Sequence, residues 1–258
     1  MYDLLEIRTL GGLAITCGPV RGLATRKAEA VLVYLACQEH AQPRETLAEL
    51  FWPDRPQAQA LASMRVTLSR LRQQLAPFIT ATRQTIGMNP ECPYWLDMAE
   101  LEDQLTLVGD DLHTTASILA RAVEMYHGDF LAGFFVQGCP EFEDWARHER
   151  DRLRRTIIER LWALVRHDLH HGSSYDGITH AAQLLRIDPL HEETHRHLML
   201  LLAQTGQRAE ALRQFEICRT VLAAELAIEP DVETFDLYQK IREGSTVTAR
   251  PVVLPRHI

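Results

Sequence analysis

The stretch Ala58 to Leu75, AQALASMRVTLSRLRQQL, constrains this chain more than any other. Leu61, Met64, Leu68, Leu71 and Leu75 recur at alternating steps of three and four. That spacing predicts a helix with one apolar stripe. Around the rest of the cylinder stand Arg65, Thr67, Ser69, Arg70, Arg72 and Gln73, and the stretch holds no acid. A helix with a buried back and an acid-free face of arginines and short polar groups suits a DNA groove. Arginine pairs bidentately with guanine or clamps phosphate, and Ser, Thr and Gln reach base edges or phosphate. A solvated surface helix carries the same pattern with no function, so the flanking residues decide.

Those residues predict a mixed unit. Leu4 to Leu10 and Leu13 to Cys17 read as short strands around a Gly11-Gly12 turn. Thr25 is placed to cap a helix through Cys37, with Ala30, Val31, Tyr34 and Leu35 facing inward. Pro43 precedes a second helix, Arg44 to Phe51, which the prolines of Trp52-Pro53-Asp54-Arg55-Pro56 break. After the basic helix, Phe78 to Ile86 and Tyr94-Trp95-Leu96 read as a second hairpin around a Gly87–Pro93 turn. Strands, helix, helix, sharp loop, basic helix, hairpin is the order of a winged helix-turn-helix.

From about Ala99 the pattern is helical. The candidates are Leu112–Tyr126, Pro140–His171, Asp176–Ile187, Glu192–Thr205 and Arg208–Ala227. Gly172 and Gly206 stand one repeat apart at helix-pair turns, and Asp188-Pro189 and Glu229-Pro230 close the pairs. With the small-large-small run Ala211, Phe215, Cys218, this resembles tetratricopeptide repeats, whose period is about 34 residues. The fold class expected is therefore mainly α: an α+β winged helix-turn-helix (1–98), an all-α TPR-like helical repeat domain (99–244) and a linker-like tail (245–258).

The net charge is −8, which alone argues against nucleic acid. It is unevenly spread. Residues 1–98 are close to balanced and the remainder carries the acid excess. Only the first part can approach DNA without strong repulsion, and affinity there calls for local geometry and more than one bound copy, a homodimer or multimer. No apolar run approaches a membrane span, and the acidic start MYDLLEIRTL is unlike a signal peptide, so a cytoplasmic protein is expected. Five scattered cysteines fit neither a disulfide framework nor a zinc site.

The segments LGGLAIT, TRKAEAVLVYLA, PRETLAELFWPD and ASMRVTLSRLRQQLAP, in that order, resemble the OmpR-type winged helix of the SARP transcriptional regulators. The segments YHGDFLAGF, EFEDWARHERDRL, the long LLRIDPLHEETHRHL…ELAIEP stretch and ETFDLYQKIREG resemble the bacterial transcriptional activator domain that follows it. The resemblance runs from Leu5 to Gly244. It implies a regulator, acting as an activator, that binds repeated double-stranded promoter sites and contacts RNA polymerase. It places Arg65, Thr67, Ser69, Arg70, Arg72 and Gln73 on the recognition helix. On a helical wheel Val66, Ser69, Arg70 and Gln73 lie nearest the pole opposite the apolar stripe, with Arg65 and Arg72 at the margin for phosphate. Val66 is suited to a thymine methyl. Arg44, opening the second helix, suits a phosphate, and Arg83 and Gln84 are wing contacts to backbone. The Trp52–Gln57 loop, with Trp52, Asp54 and Arg55, stands where winged helices of this type touch polymerase, although Phe51 and Trp52 are equally suited to the core. Asn89-Pro90-Glu91-Cys92-Pro93 replaces a shorter glycine-containing wing turn. There is no GxxxxGK loop, so no ATP hydrolysis is expected, and no cofactor is implied.

Two other readings stay open. Helical repeats bind partner peptides, so the chain could be an interaction scaffold. His191-Glu192-Glu193-Thr194-His195 matches HExxH, the spacing of a zinc hydrolase. It falls in the first turn after Asp188-Pro189 and lacks a third ligand, which favours a non-enzymatic protein without a metal.

Overall fold

The computed structural model describes residues 3–106, 112–171 and 174–245. Two compact units are present, residues 1–107 with 124–154, and residues 108–123 with 155–258. The division differs from the expected boundary after residue 98, because residues 124–154 pack with the first unit. The linker-like tail lies outside the described residues beyond Ser245. Among those described, no helix is long and apolar enough to cross a membrane.

The first unit opens with β1 (Leu5–Arg8) and β2 (Ala14–Cys17), antiparallel in the register Leu5↔Cys17 to Arg8↔Ala14, as the glycine turn predicts. A short β3 (Val20–Arg21) pairs antiparallel with β2. Thr25 caps α1 (Arg26–Ala36), its side chain accepting from the Ala28 N–H. Ala30, Val31 and Leu35 are buried there, and Tyr34 is half-buried. β4 (Gln42–Pro43) leads into α2 (Arg44–Phe51), and α3 follows over Gln57–Leu75. Met64, Leu68, Leu71 and Leu75 are buried against α1 and α2, with Ala60 taking the position expected of Leu61, which is half-exposed.

The second hairpin differs from the expectation. β5 (Ile79–Ala81) pairs with β6 (Thr85–Met88), and the turn between them is Thr82–Gln84. Gly87 lies inside β6, where a Cβ would stand 2.8 Å from the Ala41 Cβ. The glycine serves a close approach, and the Asn89–Pro93 segment connects sheets. β7 (Trp95–Leu96) runs parallel to β1 in the other sheet, order β3-β2-β1-β7.

Asp97, at the start of α4 (Asp97–Thr106), is buried and accepts from the Thr9, Leu10 and Met98 N–H groups and the Thr9 hydroxyl at 2.7–2.9 Å. Hydrogen bonds to a charged group contribute roughly 1.5–3 kcal/mol each, which offsets the burial of the carboxylate. The long α6 (Pro140–His171) gives its first part, through Arg154, to this unit. There Phe142 meets Phe51 at 5.3 Å between ring centroids, and Trp145 meets Tyr34 at 4.9 Å.

The second unit takes the rest of α6, most of α5 (Leu112–Met125), then α7 (Ser174–Ile187), α8 (Glu192–Gln204), α9 (Arg208–Leu226) and α10 (Val232–Glu243). α10 is not among the helices read from the sequence. Val165, Ala181, Leu198, Met199, Leu202, Ala211, Phe215 and Ile241 form one core. At Gly177 a Cβ would stand 2.9 Å from Leu201 Cδ1, so the glycine lets α7 lie close to α8. Gly206 makes the α8–α9 turn at φ 78°, while Gly172 lies outside the described residues.

Candidate nucleic-acid interface

The residues from Arg55 to Pro90 include five arginines and no carboxylate. The fold gathers part of this run around an open groove of about 1410 Å³. One wall is α3, through Leu61, Arg65, Ser69, Arg72 and Gln73. The start of α2 gives Pro43, Arg44 and Glu45, and the hairpin gives Ala81 to Thr85.

Local hydrogen bonding builds the hairpin tip. The Thr82 hydroxyl accepts from the Gln84 N–H at 3.1 Å and the Thr85 N–H at 2.9 Å, and the Thr82 N–H donates to the Thr85 carbonyl at 2.9 Å. This turn is closed by a threonine side chain, so it needs no glycine or proline. Arg83 and Gln84 are left exposed at its apex. Arg44 fastens the tip to α2. Its N–H donates to the Gln84 carbonyl at 2.9 Å and its Nε to the Thr82 carbonyl at 3.0 Å. Arg44 therefore sets the position of the wing as well as lining the groove.

The polar residues of α3 divide by side. Arg65, Ser69, Arg72 and Gln73 line the groove and are exposed. Val66 and Arg70 are exposed outside that lining, and Thr67 is half-buried. A wheel centred on the apolar stripe cannot show this, because the hairpin and the start of α2 stand to one side of α3. Among the described residues, Arg65, Arg70, Arg72 and Arg83 make no ion pair with a carboxylate.

The α2–α3 turn is built over buried aromatics. Trp52 is 8% exposed, with Lys27 Nζ 5.1 Å from its ring centroid and Phe51 at 6.2 Å. Its ring is the floor of the turn, which takes the core side of the two readings open for Phe51 and Trp52 and removes Trp52 from the contact candidates. Asp54 and Arg55 are exposed, and Arg55 donates to the Ser63 hydroxyl at 2.7 Å. The segment beside this turn, Phe134 to Cys139, was not singled out by sequence. Its cue was the paired Phe134-Phe135, of which only the first is buried.

In the second unit the HExxH residues are turned to structural work. His191 caps α8, its Nδ1 accepting from the Thr194 hydroxyl at 2.8 Å. Glu192 accepts from the Asp231 N–H at 2.7 Å and the Thr234 hydroxyl at 2.5 Å, tying α8 to the start of α10. His195 Nε2 donates to the Pro189 carbonyl at 2.9 Å, and its Nδ1 accepts from Gln214 at 2.6 Å. Burial pushes the His195 pKa below the ordinary imidazole value, and that of His197 likewise. Among the described residues no three His, Cys, Asp or Glu side chains are placed to hold a metal ion.

Comparison with known proteins locates the chain. Residues 96–242 match the profile of the bacterial transcriptional activator domain family. The regulatory protein AfsR of Streptomyces coelicolor is 29% identical over 229 residues, covering 81% of this chain and 22% of AfsR. AfsR of Streptomyces griseus is 26% identical over 215 residues, covering 81% and 21%. The chain thus spans about a fifth of the length of these curated relatives. A solved structure of Mycobacterium tuberculosis EmbR in complex with a low affinity phosphopeptide aligns with a TM-score of 0.67 at 18% identity. The alignment covers 95% of this chain and 66% of that one, and it shows a shared winged-helix and helical-domain fold.

Proposed function

The chain belongs to the SARP-type regulators that carry the bacterial transcriptional activator domain, and we propose that it is a sequence-specific DNA-binding activator. It binds repeated promoter sites in the cytoplasm as a homodimer or multimer and contacts RNA polymerase. The observation that carries this reading is the groove beside α3, where Arg44, Arg65, Arg72 and Arg83 stand on three elements around one channel. A channel walled by a helix and a hairpin, with cations on both sides, suits a sugar–phosphate strand.

The roles divide accordingly. Arg65 and Arg72 clamp phosphates from the helix side, and Arg83 and Gln84 from the wing. Arg44 holds the wing and adds its charge. Val66 and Arg70, exposed outside the channel lining, face the bases of the major groove, with Arg70 the strongest candidate for a guanine, and Ser69 and Gln73 reach base edges from the channel side. Thr67, half-buried, reaches phosphate at most. Residues 1–98 are close to neutral overall, so one copy makes few phosphate contacts, and adjacent copies supply the rest.

The test is recovery of genomic DNA fragments by the purified chain, with Arg72→Glu run alongside. The expected result is a short enriched sequence repeated at about one or two helical turns, lost in the variant. No enriched sequence with the wild-type chain would overturn the reading in favour of an interaction scaffold.

A further inference from the structure

Among the described residues nine large apolar side chains are exposed, and four of them fall within ten residues where α9 gives way to α10: Leu226, Ile228, Val232 and Phe235. Exposed apolar residues scattered singly need no explanation, whereas a run of them marks an interaction surface. Over residues 223–236 every position is exposed except Pro230 and Thr234. The same stretch holds five carboxylates and no Lys, Arg or His.

Its backbone is held to the helical core. The Ala227 N–H donates to the Ala223 carbonyl at 3.2 Å and closes α9. The Asp231 N–H donates to Glu192 Oε1 at 2.7 Å, which ties the start of α10 to α8. The Phe235 ring lies 6.2 Å from that of Phe215 in the core. Val232, Phe235 and Asp236 stand at i, i+3 and i+4, so they share one face of α10. Arg196 answers Asp231 and Glu233 at 3.9 and 3.4 Å. Glu225, Glu229 and Asp236 make no ion pair with a described residue.

This chemistry selects what can cover the stretch. Two copies of it set face to face would bring like charges together, which an interface does not tolerate. The complementary surface stands on the same chain. Residues 55–90 hold no carboxylate, and on α3 Arg65, Arg70 and Arg72 are exposed without one. Val66, 53% exposed, stands one helical turn from Arg70 on the same face. One surface is acidic and free of cations, the other basic and free of acids, and each carries exposed apolar side chains.

We propose that residues 223–236 of one copy dock on α3 of a second copy and cover that helix when DNA is absent. Glu225, Glu229 and Asp236 meet the open arginines where phosphates would otherwise stand, and Val66 packs among the apolar side chains between them. The contact joins unlike surfaces, so it either closes as a pair or extends as concentration rises. The self-contact stands independently of the DNA reading, and only its consequence, competition between a second copy and DNA for α3, rests on that reading.

The test is sedimentation of the full chain without DNA, for wild type, for Arg70→Glu and for Glu225→Lys with Glu229→Lys. Wild type is expected to self-associate, and less so as salt rises. Each variant should raise the dissociation constant about tenfold or more, with melting at the wild-type value. Mixing the two variants should restore association, because one brings an intact acidic stretch and the other an intact α3. A short duplex holding a single recovered promoter site should then part the wild-type complex into one chain per duplex. A wild-type chain that stays monomeric at about 100 µM, variants that associate as wild type does, or a mixture that remains monomeric would overturn the proposal. So would a complex that stays whole with the duplex bound. A wild-type chain that self-associates as expected but binds no duplex removes the DNA reading and leaves the contact standing.

Discussion

The groove of the winged helix and the helical unit use arginine in opposite ways. Around the groove, Arg65, Arg72 and Arg83 stand exposed, and none of them is neutralised by a described carboxylate. In the helical unit Arg196 lies within 4.0 Å of Glu192, Asp231 and Glu233 and donates to the Thr234 hydroxyl at 3.2 Å. Arg208 donates to the Ile241 carbonyl at 2.8 Å, Arg213 pairs with Glu210, and Arg219 pairs with Glu216. Arg196 and Arg208 tie α8 and α9 to α10, and Arg213 and Arg219 pair within α9. Cations that are not paired keep their charge for a ligand, and the open set sits where the fold leaves a channel. Composition averages the two sets, so a net charge of −8 does not reveal a patch of unpaired arginines.

The comparison breaks most visibly at the groove. Arg65→Glu with Arg72→Glu should cost at least about a hundredfold in promoter affinity, through lost phosphate neutralisation and added repulsion. Melting should not move, because neither side chain is in an ion pair. A double variant that binds as wild type would place DNA elsewhere. The paired set should behave in reverse. Arg196→Glu puts a fourth carboxylate among Glu192, Asp231 and Glu233, and its side chain is only 20% exposed. The helical unit should lose about 2 kcal/mol in denaturant unfolding, with DNA affinity intact.

Arg44 belongs to both sets and sharpens the contrast. Arg44→Ala keeps the backbone bond to Gln84 but loses the Nε bond to the Thr82 carbonyl and one groove cation, so promoter affinity should fall about tenfold. Arg44→Lys keeps the charge but lacks the Nε donor to the Thr82 carbonyl, and should recover only part of the loss. Full recovery would make Arg44 a charge and nothing more.

The smallest expected effect is on pH. His195 and His197 titrate below the ordinary imidazole value of 6.5 because burial disfavours their charged forms. Below pH 6.5 the unfolded chain therefore binds more protons than the folded one. Their contribution to stability is present above that pH and is lost as pH falls through the folded values. Melting of the helical unit at pH 5.5 should lie below that at pH 7.5. A melting temperature that rises on acidification would contradict this assignment.

The elements with local signals were legible in the sequence. Thr25 announces α1, the prolines at positions 53 and 56 separate α2 from α3, and the three-four spacing sets the buried face of α3. The wing was read one turn too late. Gly87 and the prolines that follow looked like a turn, whereas the tip is closed by the Thr82 hydroxyl, a weaker cue than glycine. The burial of Trp52 depends on Lys27, distant in sequence, and the segment from Leu131 to Cys139 is held by Thr9, Phe51 and Glu143. No local pattern carries such information. Likewise the HExxH spacing is genuine, but its chemistry was decided by Pro189, Gln214, Asp231 and Thr234, which occupy the same side chains in structural bonds.

The central claim is that open arginines on α3 and the wing hold DNA while paired arginines in the helical unit do not. The most direct measurement is the salt dependence of binding to the recovered promoter site, for wild type, Arg65→Ala, Arg72→Ala and Arg196→Ala. The account predicts that each groove variant lowers the slope of log affinity against log salt by about one, and that Arg196→Ala leaves it unchanged. Equal slopes in all four proteins, or a loss confined to Arg196→Ala, would contradict it.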